Sequence, residues 1–202
     1  MTTNLFESLF KDTKIVAYAR FNKARRLSKR TWWSLFSIST LSIVLILLTI
    51  FEQTNSVRTV HPFFIPEISI KNWIFTVVTS LITLTLSISL AAARLDVEVE
   101  KLNDSAIRIN KISREIEAHK SRSSYDDYLR LVKEYNDVIL DNRVNHDTVD
   151  FIIAKCSLNT NKDYHYYFNK YVFQHIQLIH YYLITAISLS AATSILSNVF
   201  DK

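Results

Sequence analysis

Trp32–Phe51 reads WWSLFSISTLSIVLILLTIF, twenty residues without a charge, twelve of them Leu, Ile, Val or Phe. At 1.5 Å rise per residue, a helix of that length covers roughly 30 Å, the hydrocarbon thickness of a bilayer. No polar face interrupts it, so it does not read as a half-buried helix of a soluble core. Trp32 and Trp33 stand where an interfacial aromatic belt belongs. The stretch predicts a transmembrane helix over 32–51, and the rest of the chain is read outward from it.

Upstream, residues 13–31 hold Lys14, Arg20, Lys23, Arg25, Arg26, Lys29 and Arg30 and no acidic residue. A basic block directly ahead of a span reads as a juxtamembrane anchor attracted to anionic headgroups. Phe6, Leu9, Phe10, Ile15, Tyr18 and Phe21 recur at helical spacing, so 1–31 is expected to be a basic amphipathic helix. The polar lead is too long for a cleavable signal peptide, and no small-residue cleavage site follows.

Downstream, residues 52–72 contain both prolines, Pro62 and Pro66, and form a loop to a second uncharged run, WIFTVVTSLITLTLSISLAAA at 73–93. Only Arg58 and Lys71 are basic in that loop, against Arg20, Lys23, Arg25, Arg26, Lys29 and Arg30 before the first span. The positive-inside rule then puts the N-terminus and residues 94–170 in the cytoplasm and the loop outside.

Residues 94–170 carry 13 Lys/Arg and 14 Asp/Glu. Leu95, Val99, Leu102, Ala106, Ile109, Ile112 and Ile116 form one apolar stripe, and no breaker separates Ala93 from Leu95. A continuous helix over 73–120 follows from that pattern. Ser121–Ser124 interrupt it, and 125–141 repeats the amphipathic pattern with Tyr128, Val132, Tyr135 and Val138/Ile139 inward, so the two helices make an antiparallel hairpin. Asn145 is placed to cap a short helix over 146–156. From Tyr171 to Phe200 no Lys, Arg, Asp or Glu occurs. That run accommodates a third span near 178–198, with histidines and tyrosines at its cytoplasmic end; a helix lying on the membrane or packed under the cytosolic region is the alternative. The fold class is all-α, an integral membrane helical protein with two spans, a third C-terminal one, and a cytosolic helical hairpin.

Composition narrows the chemistry. Glycine is absent, against about 7% in an average chain. Phosphate-binding loops, dinucleotide fingerprints and nucleophile elbows all need glycine for close backbone approach or strained turns, so none is present. The single Cys156 forms neither an internal disulfide nor a zinc cluster. The net charge of +5 resides beside the first span, which points to membrane lipids rather than nucleic acid. The histidines show no metal-ligand spacing, so no metal, cofactor or catalytic residue is assigned. Arg114-x4-His119 fits the minimal motif of the HEPN ribonucleases, but so short a pattern arises by chance and sits on a charged helix.

The spans are rich in hydroxyls. On the second, Asn72, Thr76, Ser80, Thr83, Ser87 and Arg94 fall within an arc of roughly 80°. Such a stripe could line a water-filled pore with Arg94 at its cytoplasmic mouth. The reading favoured by the residues is a packing ridge, since Thr83, Ser87 and Ala91 make a small-xxx-small pattern repeated by Ala186, Ser190 and Ser194, and the two are compatible if helices pack around a central opening. One protomer has too few spans to enclose a conduit, so a pore requires a homo-oligomer.

Three segments carry a family resemblance: Tyr18–Leu27 (YARFNKARRL) entering the first span, Glu100–Glu117 (EKLNDSAIRINKISREIE) after the second, and Tyr135–Asp150 (YNDVILDNRVNHDTVD), with Asn145, His146 and Asp150 as an Asn-His-x3-Asp element. Their order resembles the SLATT family, the SMODS- and SLOG-associating two-transmembrane effectors. The hydrophobic tail resembles its family-five branch, associated with reverse transcriptases. The resemblance implies a non-enzymatic effector of bacterial anti-phage or conflict systems in the inner membrane. It further implies a pore or membrane disruption on a partner-generated signal, ending in abortive infection. A reverse transcriptase or a nucleotide-signalling enzyme would be the partner. The alternative is a non-channel anchor or adaptor that docks a soluble enzyme at the bilayer.

Overall fold

The computed structural model describes residues 2–55, 59–61, 69–119, 124–142, 145–158, 162 and 164–200, with side chains omitted at a few of these ends. The elements are α1 (Thr2–Asn55), β1 (Thr59–Val60), β2 (Ile70–Lys71), α2 (Asn72–Ala93), α3 (Leu95–His119), α4 (Tyr125–Asp141), α5 (Thr148–Leu158), α6 (Tyr164–Tyr167), a π-helical turn (Phe168–Phe173), α7 (Gln174–Ile176) and α8 (Ile179–Phe200). Among the described residues the protein is all-α apart from a two-residue antiparallel ladder pairing Thr59 with Lys71 and Val60 with Ile70. Pro62 and Pro66 lie outside the described residues.

Three helices are long and apolar enough to cross a membrane: the first within Asn4–Gln53, the second from Asn72, and the third at Ile179–Ser197. This is an integral membrane protein with a C-terminal third candidate span. The chain divides into two compact units: residues 1–29 with 95–175, and residues 30–94 with 176–202.

In the first unit, the N-terminal part of α1 packs with the α3–α4 hairpin. Phe6, Leu9, Ala17, Ile109, Ile112, Ile116, Leu131 and Val138 form the core, flanked by Tyr128, Val132, Tyr135 and Ile139. The α3 stripe is buried from Leu102 to Ile116. On α1 the buried line runs Phe6, Leu9, Thr13, Ala17, Arg20, Ala24, Leu27, in steps of three and four. Tyr18, expected inside, is exposed; the small Ala17 and Ala19 are buried instead and let the backbone approach its neighbours. Ser124 starts α4 with a capping box: its side chain accepts from Asp127 N, and the Asp127 carboxylate accepts from Ser124 N at 3.1 Å.

Two expectations need correction. The helix over 73–120 is not continuous, because Arg94 adopts φ 44° and ψ 41° between α2 and α3. A left-handed residue with a Cβ costs roughly 1–2 kcal/mol, a local strain at this position. Asn145 does not cap α5, which begins at Thr148. Its Oδ1 instead accepts from His146 N at 2.9 Å, a local turn that competes with helix initiation.

In the second unit, Val44, Leu48, Val60, Phe75, Ala191 and Ile195 form the core, so one end of α1, α2 and α8 meets around β1. α1 and α8 also touch along their length. Trp33 packs edge-on to Tyr182 at 4.6 Å, and Ser37 Oγ lies 3.2 Å from Tyr181 O and 3.0 Å from Thr185 Oγ1. Ser34, Ser37, Ser188 and Ser190 are buried, small residues that admit close helix approach in a membrane. α2 contributes only Asn72, Phe75 and Thr79 to the buried set.

Candidate functional site

Two sets of polar residues stand out, one in each unit. The first begins with the basic block on α1, whose members differ in burial. Arg20, Lys23 and Arg26 turn into the first unit, while Arg25, Lys29 and Arg30 are exposed. Helical angle does not make that division, because Lys29 continues the three-residue series and Arg30 falls between Lys23 and Arg26 on the cylinder; what distinguishes Arg20, Lys23 and Arg26 is the set of partners packed against them.

Arg26 grips the α5 entry. Its Nη2 lies 2.7 Å from Asp150 Oδ2, its Nε donates to Asp150 Oδ1 at 3.3 Å, and Asp147 contacts the same Nη2. Asp150 has 0% of its side chain exposed. Burial pushes its carboxyl above the usual range, with Arg26 opposing. The two carboxylates hold the Arg26 guanidinium above its ordinary value against its own burial. We read the pair as ionised: the fork-to-fork contact compensates the buried carboxylate better than a neutral acid would.

Lys23 ties the same corner to α3. Its Nζ lies 3.0 Å from Glu98, 3.5 Å from Asp147 and 2.8 Å from Asn145 O. His146 stacks on Phe151 with centroids 5.4 Å apart. Burial holds its imidazole below the usual value. Asn145 and Asp150 thus meet the α1 basic face through a carbonyl and a carboxylate, while His146 stacks on Phe151 of α5.

Arg20 differs from its neighbours. It is 3% exposed, and its Nη1 donates to Ser105 Oγ at 2.6 Å and its Nη2 to Asn142 O at 3.4 Å. Among the described residues no carboxylate reaches it, and its Nε has no hydrogen-bond partner. Burial accordingly lowers its pKa, with Tyr135 opposing. Beside Asn142, an open groove of about 770 Å³ runs between α3 and α4, lined by Val97, Lys101, Asp104, Arg108, Leu140 and Asp141 among others.

The second set is the α2 stripe. Asn72 is buried, Thr76 and Thr83 are half-buried, and Ser80, Ser87 and Arg94 are exposed. The stripe therefore passes from the packed end of α2 to an uncovered face. Ser80, Thr83 and Ser87 each donate to their own i−4 carbonyl at 2.8 Å. That satisfies the hydroxyl proton in apolar surroundings and leaves the oxygen lone pairs for water or a neighbouring helix.

Arg114 is exposed on α3, and the side chain of His119 lies outside the described ones. No group of three or more His, Cys, Asp or Glu side chains among the described residues is arranged to hold a metal ion. Cys156 is a free, half-buried thiol. Two features escaped the sequence reading: the division of the basic block, and the hydroxyl seam joining α1 to α8. The first had no signal in the spacing, since the exposed Lys29 continues the series of Arg20, Lys23 and Arg26. The second was signalled faintly by Ser34, Ser37 and Thr40 on α1 and Thr185 and Ser188 on α8.

Comparison with curated proteins and with solved structures returns no match. The model of the SMODS and SLOG-associating 2TM effector domain family 5 matches residues 2–197, all but the ends of the chain, and the protein belongs to that family.

Proposed function

We propose that this protein is the membrane-acting component of a bacterial conflict system, assembling into an oligomer in the inner membrane and opening or perturbing it on a partner-generated signal. Membership of an effector family supplies the class. The observation that carries the mechanism is the uncovered hydroxyl face of α2: Ser80 and Ser87 are exposed on a helix with only Asn72, Phe75 and Thr79 buried. A single chain has too few helices to enclose a conduit, so copies meeting through α2 would bring these oxygens together around an axis. The N-terminus and the first unit lie in the cytoplasm in this reading, where the signal arrives. Arg94 is the covalent joint to α2, and its strained backbone supplies a position where a change in φ and ψ costs little and rotates the stripe. The protein works without an active site of its own.

The test is membrane potential in cells expressing the chain, with and without Thr76, Ser80, Thr83 and Ser87 changed to Leu or Val. Loss of depolarisation with normal membrane insertion supports the reading. Unchanged depolarisation ends the lining role.

The α3–α4 groove favours a second reading, an adaptor that docks a soluble partner enzyme, a reverse transcriptase or a nucleotide-signalling protein, at the bilayer. Leu140 and Val97 are exposed there between charged neighbours, a mixture suited to a protein surface. Ion flux in liposomes separates the two, because an adaptor alone passes no ions.

A further inference from the structure

The stretch YHYYFNKYVF at Tyr164–Phe173 carries more exposed aromatic surface than a water-facing helix tolerates. Tyr164, Tyr167, Phe168, Tyr171 and Val172 are all exposed, Tyr164 at 75%. Their spacing of three and four places them on one side, while Tyr166 points inward at 4% exposure. The rings are arranged in two columns: Tyr164 against Phe168 at 6.1 Å, and Tyr167 stacked on Tyr171 at 6.4 Å with planes 15° apart. The backbone of Phe168–Phe173 is π-helical, a wider turn seldom kept without a use. Lys170 is held in this surface, its Nζ donating to Tyr166 Oη at 2.8 Å and sitting over the Tyr166 and Tyr171 rings at 5.0 and 5.3 Å. Lys162 also lies over the Tyr166 ring, 5.5 Å from its centroid.

We propose that this aromatic and cationic face is an interfacial membrane-binding element that lies among anionic lipid headgroups. Three observations favour a bilayer over a protein partner. From Tyr164 to Phe200 there is no Asp or Glu, so that stretch itself carries no carboxylate to repel phosphate, Asp163 standing just before it next to Lys162. The exposed groups are chiefly Tyr and Phe, with the half-buried Lys170 beside them, and Tyr and Lys are the amphipathic types that combine an apolar body with a polar end at headgroup depth. The third candidate span starts at Ile179, eight residues after Tyr171, so the chain tethers the face within at most about 28 Å of the start of that helix. The element stands whether or not the protein conducts ions.

The test uses the full chain in phosphatidylcholine–phosphatidylglycerol vesicles, with Cys156→Ala removing the native thiol. An environment-sensitive fluorophore is attached at Tyr167→Cys, at Val172→Cys, and at Lys133→Cys on the exposed face of α4 as the water-facing reference. Lipids spin-labelled near the headgroup should quench positions 167 and 172 several-fold more than position 133, and omitting phosphatidylglycerol should weaken that quenching. Quenching at both positions equal to that at 133, or indifferent to phosphatidylglycerol, overturns the proposal. So does a blue-shifted emission that grows with protein-to-lipid ratio and resists lipid quenchers, which would mean that a second copy covers the face.

Discussion

Serines on α1 and on α2 meet opposite fates although the two runs look alike as sequence. Ser34 and Ser37 are buried against α8, and Ser37 finds Tyr181 O and Thr185 Oγ1 across the seam. Ser80 and Ser87 answer only their own helix and remain exposed. A hydroxyl in a span is thus not a functional mark in itself; what matters is whether the chain supplies its partner. The same contrast holds among the charges of α1. Arg26 has Asp147 and Asp150, whereas Arg20 is buried on a hydroxyl and a carbonyl. Groups with tertiary partners hold the fold, whereas the hydroxyls of Ser80 and Ser87 bond only within α2.

The largest effect should come from removing the partner of a buried charge. Asp150→Ala leaves Arg26 facing Asp147 alone and should cost about 3–5 kcal/mol, read from the thermal melting of the full chain in detergent. Asp147→Ala, at a half-exposed carboxylate, should cost about 1 kcal/mol or less. Equal losses from the two would break the contrast between buried and rim charges.

Next comes the seam. Ser37→Ala should cost about 1 kcal/mol, and Ser80→Ala with Ser87→Ala no more than about 0.5 kcal/mol, both measured as melting of the membrane-inserted protein. If the α2 pair proves as costly as Ser37, α2 packs within the chain and its face is not free for other copies.

A pH titration sharpens the charge comparison. Because burial holds His146 below 6.5, the folded unit favours neutral imidazole. Stability is then full above 6.5 and declines as pH falls below it, as the unfolded chain takes up the proton more readily. Asp147 is held below 3.8 by Arg26 and Lys23, against its own partial burial, and adds a further loss at still lower pH. Asp150, pushed the other way by burial, opposes that loss. His146→Gln should flatten the first decline, and an unchanged profile would assign it elsewhere. The smallest effect expected is from Arg25→Gln, whose exposed side chain should change stability by no more than about 0.5 kcal/mol.

Much of this was legible in the residues. An uncharged run such as Trp32–Phe51 has few alternatives to crossing a bilayer, because its backbone must satisfy itself and its side chains find no water-facing side. The stripes of α3 and α4 were legible for the same reason, since Leu102, Ile109 and Ile116 recur at the period of a helix and a helix has one inside. Arg94 was not legible: nothing in Ala93-Arg94-Leu95 breaks a helix, yet the backbone turns left-handed there.

The sequence by itself determined the helices, the candidate spans and the abundance of charge between the second and third, because periodicity and solvent preference are properties of single segments. Which arginine meets which carboxylate, and which serine faces a neighbour, was decided only by the tertiary structure. Arg26 and Asp150 are 124 residues apart, and Ser37 and Thr185 are 148 apart. Pairings at such separations depend on how helices cross, a geometry set by side-chain shape over whole surfaces rather than by any local pattern. The uncovered face of α2 belongs to the same class, a consequence of where α1 and α8 chose to pack.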